Sequence, residues 1–245
     1  MADLLDESLQ QIELVRYTAC MSEVLLPQIA LFEDENIASG MTELFPAVWQ
    51  ALEGIASPRA ADRHRNLDRL LELDAPRFSP LVAYVLATRL IDPDIKFRKR
   101  VVQALGDLLI PIMGERPPES VRGHLKGHCS VMGRGTVLAV LEVAEFDASA
   151  NSQIAALFNM CSHVGSVLVE VMMERRISVS LRRQAINFIG QVGFIDAIPQ
   201  LERLIERLES RSNGQRRMPF APPSDPDEAS LLTGIQTTLT MLKEP

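Results

Sequence analysis

Residues 90–109, LIDPDIKFRKRVVQALGDLL, return in altered form at 176–193 as RISVSLRRQAINFIGQVG. Setting Phe97-Arg98-Lys99-Arg100-Val101-Val102-Gln103-Ala104-Leu105-Gly106 beside Leu181-Arg182-Arg183-Gln184-Ala185-Ile186-Asn187-Phe188-Ile189-Gly190 puts apolar, basic and small residues in shared columns. A weaker copy lies between them, with Ile154–Leu168 beside Ala185–Pro199, and another lies upstream at Arg63–Leu73. Adjacent copies are offset by roughly 31 to 35 residues, the length of one helix–turn–helix unit. Such a unit is too small to bury its apolar side alone and buries it against neighbouring copies of itself. The two strongest copies stand 84 residues apart, which exceeds two units, and the excess falls between Pro111 and Gly135.

The periodicity inside the units is helical. Leu67, Leu70, Leu71 and Ala75 follow the i, i+3, i+4 rhythm of one buried helix face, and no long stretch alternates as a half-buried strand would. Asp92-Pro93-Asp94 offers an N-cap Asp, a proline at the first helical position and an acid favoured by the helix dipole, and Asp147–Ser149 and Ser178–Ser180 offer similar caps. Helices are therefore expected over 4–25, 41–54, 59–73, 79–91, 94–110, 119–131, 135–146, 149–161, 164–175, 180–192 and 196–210. Residues 211–229, rich in Pro, Ser and charge, read as a linker. Beyond it, 230–243 regain helical spacing, with Leu231, Leu232, Ile235, Leu239 and Leu242 on one face. That stripe needs cover, as a terminal cap on the last unit or as a helix that docks on another subunit.

The turn Asp92-Pro93-Asp94, then Arg98, then Ala104-Leu105-Gly106, repeated as Arg182, Ala185 and Gly190, resembles the second helix of HEAT repeats. Ala197–Leu208 resembles the first helix of a following unit. The resemblance spans about residues 58–210 with an irregular segment at 111–135. It implies an all-α, right-handed α-solenoid of four to five HEAT-like hairpins, preceded by an acidic helical region at 1–57 and closed by the C-terminal helix. It also implies a concave face that binds a partner, without naming one.

Charge divides the chain. The segment 1–57 holds ten acidic residues against one base, Arg16, a balance of −9, while the rest of the chain carries +2. An acidic head is no surface for phosphates, which Lys and Arg would have to neutralise. No run approaches the ~20 apolar residues of a membrane span, and the acidic start MADLLDESLQQIE does not read as a secretory signal. Three scattered cysteines, Cys20, Cys129 and Cys161, form no disulfide framework, so a cytoplasmic setting is expected.

Three groups of residues bear on function. The first is a basic column at second-helix starts: Arg63 and Arg65; Arg98, Lys99 and Arg100; Arg182 and Arg183. In register these would present a strip to an acidic protein partner, or else act as a ladder in which an arginine such as Arg98 or Arg182 ties down a loop acid such as Asp92 or Asp94. The second is the pair of segments GHLKGHC and CSH, holding His124, His128, Cys129, Cys161 and His163. Histidines at i, i+4 with thiolates can build a zinc site, but Gly123 and Gly127 weaken the helix this needs, so no metal is assigned. The third would be a catalytic constellation. The sequence has no Gly-rich phosphate loop, no G-x-S-x-G and no H-E-x-x-H, and neither catalytic residue nor cofactor is assigned.

A noncatalytic scaffold or adaptor for another protein is the reading these features favour. HEAT-like bilin lyases or chaperones have repeats of similar length and stand as an alternative. So does a nucleic-acid-binding solenoid, since residues 58–130 carry 13 bases and 9 acids. Alkylpurine DNA glycosylases are HEAT-like as well, but rely on a basic groove with aromatic residues. Here the one tryptophan, Trp49, lies in the acidic head, and the tyrosines are only Tyr17 and Tyr84.

Overall fold

A computed structural model describes residues 35–110, 118–215, 228 and 230–244. Among these residues every regular element is helical. The expected helix over 4–25 and most of the expected linker lie outside the described residues.

The helices are α1 (Glu35–Ile55), α2 (Ala60–Glu72), α3 (Ala75–Phe78), α4 (Pro80–Thr88), α5 (Ile95–Leu109), α6 (Glu119–Ser130), α7 (Arg134–Phe146), α8 (Asn151–Asn159), α9 (Val164–Met173), α10 (Val179–Val192), α11 (Ile198–Gln215) and α12 (Leu231–Lys243). A short 3-10 turn at Arg89–Ile91 extends α4, and those at Ala148–Ala150 and Ile195–Ala197 lead directly into α8 and α11. Five successive pairs pack together: α1 with α2, α4 with α5, α7 with α8, α9 with α10, and α11 with α12. The second helices also touch in series, α2 to α5, α5 to α8, α8 to α10 and α10 to α12.

The columns read from the sequence are the columns of burial. Phe97, Val101, Val102, Leu105 and Gly106 form the buried face of α5, and Ala185, Ile186, Phe188 and Ile189 that of α10. Each large apolar side chain so buried contributes about 1.5–3 kcal/mol. Phe158 of α8 meets Phe188 of α10 edge to face, ring centroids 5.4 Å apart. The two repeat glycines sit where the next second helix crosses. A Cβ on Gly106 would lie 2.5 Å from the Gln153 backbone of α8, and one on Gly190 would lie 3.1 Å from the Thr238 side chain of α12. Thr238 Oγ1 donates to the Ile186 carbonyl at 3.1 Å across that crossing.

The irregular segment contains α6. Second-helix starts are 35 residues apart from Ala60 to Ile95 and 56 from Ile95 to Asn151, so the excess length sits where α6 lies. α6 packs on α4 through Val121, Leu125 and Cys129, and forms despite Gly123 and Gly127 because that apolar face is fully buried.

Two boundaries differ from expectation. α5 is capped by Asp94, whose Oδ1 accepts the Lys96 and Phe97 N–H groups at 2.9 and 3.3 Å, so it starts two residues later than a cap at Asp92 would set. Asp92 is engaged elsewhere, accepting the Asp94 N–H and an Arg63 N–H, each at 3.0 Å. α1 begins at Glu35 rather than 41 and continues through Pro46. The C-terminal helix α12 buries Leu231, Ile235, Leu239 and Leu242 against α10 and α11. No helix among the described residues is long and apolar enough to cross a membrane.

Candidate functional site

The basic column is largely spent inside the molecule. Arg63 is buried: it donates to the Ser57 and Pro58 carbonyls at 3.0 and 3.1 Å, pairs with Asp92 at 3.0 Å, and lies 5.6 Å from the Phe97 ring centroid. Arg98 pairs with Glu142 of α7 at 2.7 Å, and Arg100 reaches back to Asp68 and His64 of α2. Lys99 pairs at 2.5 Å with Asp147, the acid that opens the next interhelical turn. That hydrogen bond, with one from the Ser149 N–H, holds the Asp147 carboxyl down at about 2. Arg182 is 2% exposed; its Nε donates to the Met172 carbonyl at 2.8 Å and its Nη1 to Glu228 at 3.2 Å. Arg183 donates to Ser230 Oγ at 2.9 Å. Arg65, with a side chain 77% exposed beside Asp62 at 3.6 Å, and Arg183 are the exposed members of the seven.

These pairs run forward along the array. Arg63 takes the turn acid before α5, Lys99 the turn acid before α8, and Arg182 the acid before α12. An inter-repeat ladder read with Arg98 on its own turn, Asp92 or Asp94, has a different register: Asp92 belongs to Arg63, and Asp94 accepts from His64 at 3.1 Å. Burial acts to raise the Asp94 pKa, but hydrogen bonds from His64, Phe97 and Lys96 leave the carboxyl below its ordinary value. The charge-assisted bonds stiffen contacts between units rather than facing outward.

The histidine and cysteine group divides. His124 donates to the Ser120 carbonyl of its own helix at 2.7 Å. His128 stands edge-on to Tyr84 at 5.3 Å, and burial holds its pKa below the ordinary value despite a hydrogen bond to the Ala87 backbone. His163 donates to the Met132 carbonyl at 2.9 Å. Cys129 and Cys161 are both buried, and the Cys161 thiol donates to the Leu157 carbonyl at 3.3 Å. Among the described residues no three His, Cys, Asp or Glu side chains converge as a metal site would require.

Among the described residues, surface depressions lie at two places. An open groove between α4 and α6 is lined by Tyr84, Glu119, Ser120, Gly123, His128 and Val131, among others, with Tyr84 48% and Val131 75% exposed. A smaller depression of about 460 Å³ lies between α9 and α11, floored by Phe194 and Val169 and edged by Glu170, Asp196 and Gln200. Sequence reasoning did not find either. The glycines of GHLKGHC register only as helix-weakening, and nothing local says that α6 will lie along α4. Both depressions are shallow and neither gathers a nucleophile with a base in hydrogen-bonding reach. Comparison with protein-family models, with curated proteins and with solved structures finds no match to this chain.

Proposed function

We propose that this protein is a HEAT-like right-handed α-solenoid that works in the cytoplasm as a noncatalytic scaffold holding another protein. The observation that carries the reading is the serial contact of α2, α5, α8, α10 and α12. Stacked pairs of this kind yield a long shallow surface, suited to a protein partner more than to a small substrate in a deep pocket. The repeated placement of Gly106 and Gly190 at two crossings of the second-helix series supports a repeat array, as does the forward ladder of Arg63, Lys99 and Arg182. Because most of the basic column is paired internally, an acidic partner surface meeting that column has little charge to engage beyond the exposed Arg65 and Arg183. The exposed Tyr84 and Val131 of the α4–α6 groove are better placed for contact.

The test is affinity capture from the native host at physiological salt with the full chain as bait, alongside Tyr84→Ala and Val131→Glu variants shown by circular dichroism to keep their helix content. A defined protein partner, retained by wild type and lost by a folded variant, is the expected result. Salt-sensitive recovery of nucleic acid, a bound tetrapyrrole absorbance, or no specific protein would overturn the reading.

A further inference from the structure

We propose that the depression between α9 and α11 is a seat for an arginine side chain carried by an extended segment of a protein partner. The seat deepens the scaffold reading above, on which it rests, by giving one surface of the array a specific occupant. At about 460 Å³ the depression falls in the ~300–1,000 Å³ range of clefts that bury a ligand-sized group. α9 lines it with Ser166, Val169 and Glu170, at i, i+3 and i+4 of one helical face. Phe194, Asp196 and Gln200 form the opposite wall. An apolar floor of Val169 and Phe194 thus meets one carboxylate from each wall.

Local structure places these groups. α10 ends at Gly193 in the left-handed region, φ 85°, and the Gly193 and Phe194 N–H groups both donate to the Ile189 carbonyl, at 3.2 and 3.0 Å. The reversed chain brings Phe194 back onto α9. Gly165 leaves room for its ring there, since a Cβ at that position would lie 2.8 Å from a ring carbon. The Ala197 N–H donates to the Phe194 carbonyl at 3.0 Å, which fixes the turn that bears Asp196. Ser166 gives its hydroxyl proton to the His163 carbonyl at 2.7 Å, so its oxygen is left as an acceptor.

Charge selects the occupant. Elsewhere on the surface acids hold bases: Asp147 holds Lys99, Glu174 holds Arg134 and Glu202 holds Lys243. Glu170 and Asp196 are both exposed, and neither carboxylate has a hydrogen-bonding or ionic partner among the described residues. Two uncompensated carboxylates beside the Ser166 oxygen suit a cation rich in N–H donors and repel a phosphate. A metal ion is poorly served, because among the described residues no three His, Cys, Asp or Glu side chains converge. Of the basic side chains arginine fits better than lysine. Its planar fork can reach carboxylates on two different elements while lying over an aromatic ring, and its apolar stem can cover Val169.

The experiment titrates the full isotope-labelled chain, at physiological salt, with the peptide acetyl-Gly-Ala-Arg-Ala-Gly-amide and follows backbone amide shifts by NMR. The same peptide with lysine or citrulline in place of arginine is run in parallel. Shifts are expected to concentrate at Gly165, Ser166, Val169, Phe194 and Asp196, with the lysine peptide roughly threefold weaker and the citrulline peptide silent. Glu170→Gln with Asp196→Asn should weaken the arginine peptide roughly five- to tenfold, while Glu145→Gln, at an exposed acid of α7, leaves it unchanged. Phe194→Leu, with helix content checked by circular dichroism, should cost roughly threefold. Absence of any shift, equal titration by the citrulline peptide, undiminished binding in the double variant, or shifts spread over every acidic face would overturn the proposal. Free arginine or spermidine binding as tightly as the peptide would overturn it too, by assigning the depression to a small cation. The titration needs no captured protein, so failure of the seat and failure of the scaffold reading are read separately.

Discussion

Replacing Gly106 by alanine tests the central packing contact of the array. In an unobstructed helix interior the change stabilises by up to ~1 kcal/mol, because alanine loses less conformational freedom than glycine. At Gly106 the new Cβ would lie 2.5 Å from the Gln153 Cα and closer still to its Cβ, well inside the 3.4–4 Å of ordinary contact. The obstacle includes backbone, so α8 has to move away by about 1 Å along a seam that also holds Val102 and Leu105. Overpacking of this sort costs about 1–3 kcal/mol. The net expectation is a loss of about 1–2 kcal/mol, read as a Tm lowered by roughly 2–8 °C in a chain of this length. Gly123→Ala is the internal control: it sits on an open helix face with nothing within 4 Å, and Tm should rise. Thermal unfolding followed by circular dichroism, with urea titration for the free energies, makes the measurement. Gly106→Ala as stable as wild type, or more destabilising at Gly123 than at Gly106, would refute the close crossing of α5 and α8.

At Gly190 the neighbours are side-chain atoms of Thr238 at 3.1 and 3.2 Å, so Gly190→Val should destabilise by ~1–3 kcal/mol; an unchanged thermal midpoint would count against the α10–α12 crossing. Arg182→Met removes a buried ion pair to Glu228 and the bond to the Met172 carbonyl, and should cost about 3 kcal/mol with faster amide exchange in α12; a loss under ~1 kcal/mol would show the pair to be dispensable. The His128 ring has a folded pKa below its ordinary 6.5, so the unfolded chain takes up its proton first as pH falls. Stability should therefore decline as pH drops through about 6.5, and His128→Gln should remove that share of the slope; an identical pH profile in the variant would contradict it.

The repeated columns carried much of the architecture into view, since Phe97, Val102, Leu105 and Ile189 declare both a helix and its buried side. What they do not declare is which neighbour each face meets. The register of the ladder illustrates this: Arg98 and Asp92 lie close in sequence, yet Asp92 is taken by Arg63 from the preceding unit, because the second helices stack and bring its guanidinium over the turn. The α5 cap moved from Asp92 to Asp94 for the same reason, the first aspartate being occupied across the seam. α6 was expected as a helix, and its glycines obscured its strength, since burial of Leu125 and Cys129 outweighs propensity. The groove beside Tyr84 exists only once α6 lies on α4, a tertiary event with no local signature.

The placement of α6 bears on how such a chain can be lengthened. Between Leu109 and Arg134 the polypeptide carries an additional helix, yet α5 still meets α8 and Lys99 still reaches Asp147. The continuity of the stack is thus independent of how much chain is threaded from a second helix to the next first helix, provided the ends return to the same places. A peptide epitope or small folded module grafted at Gly133, in the exposed turn between α6 and α7, would hang outside the stack and leave its seams intact, whereas the same graft between Asp92 and Asp94 would part a cap from its ladder rung.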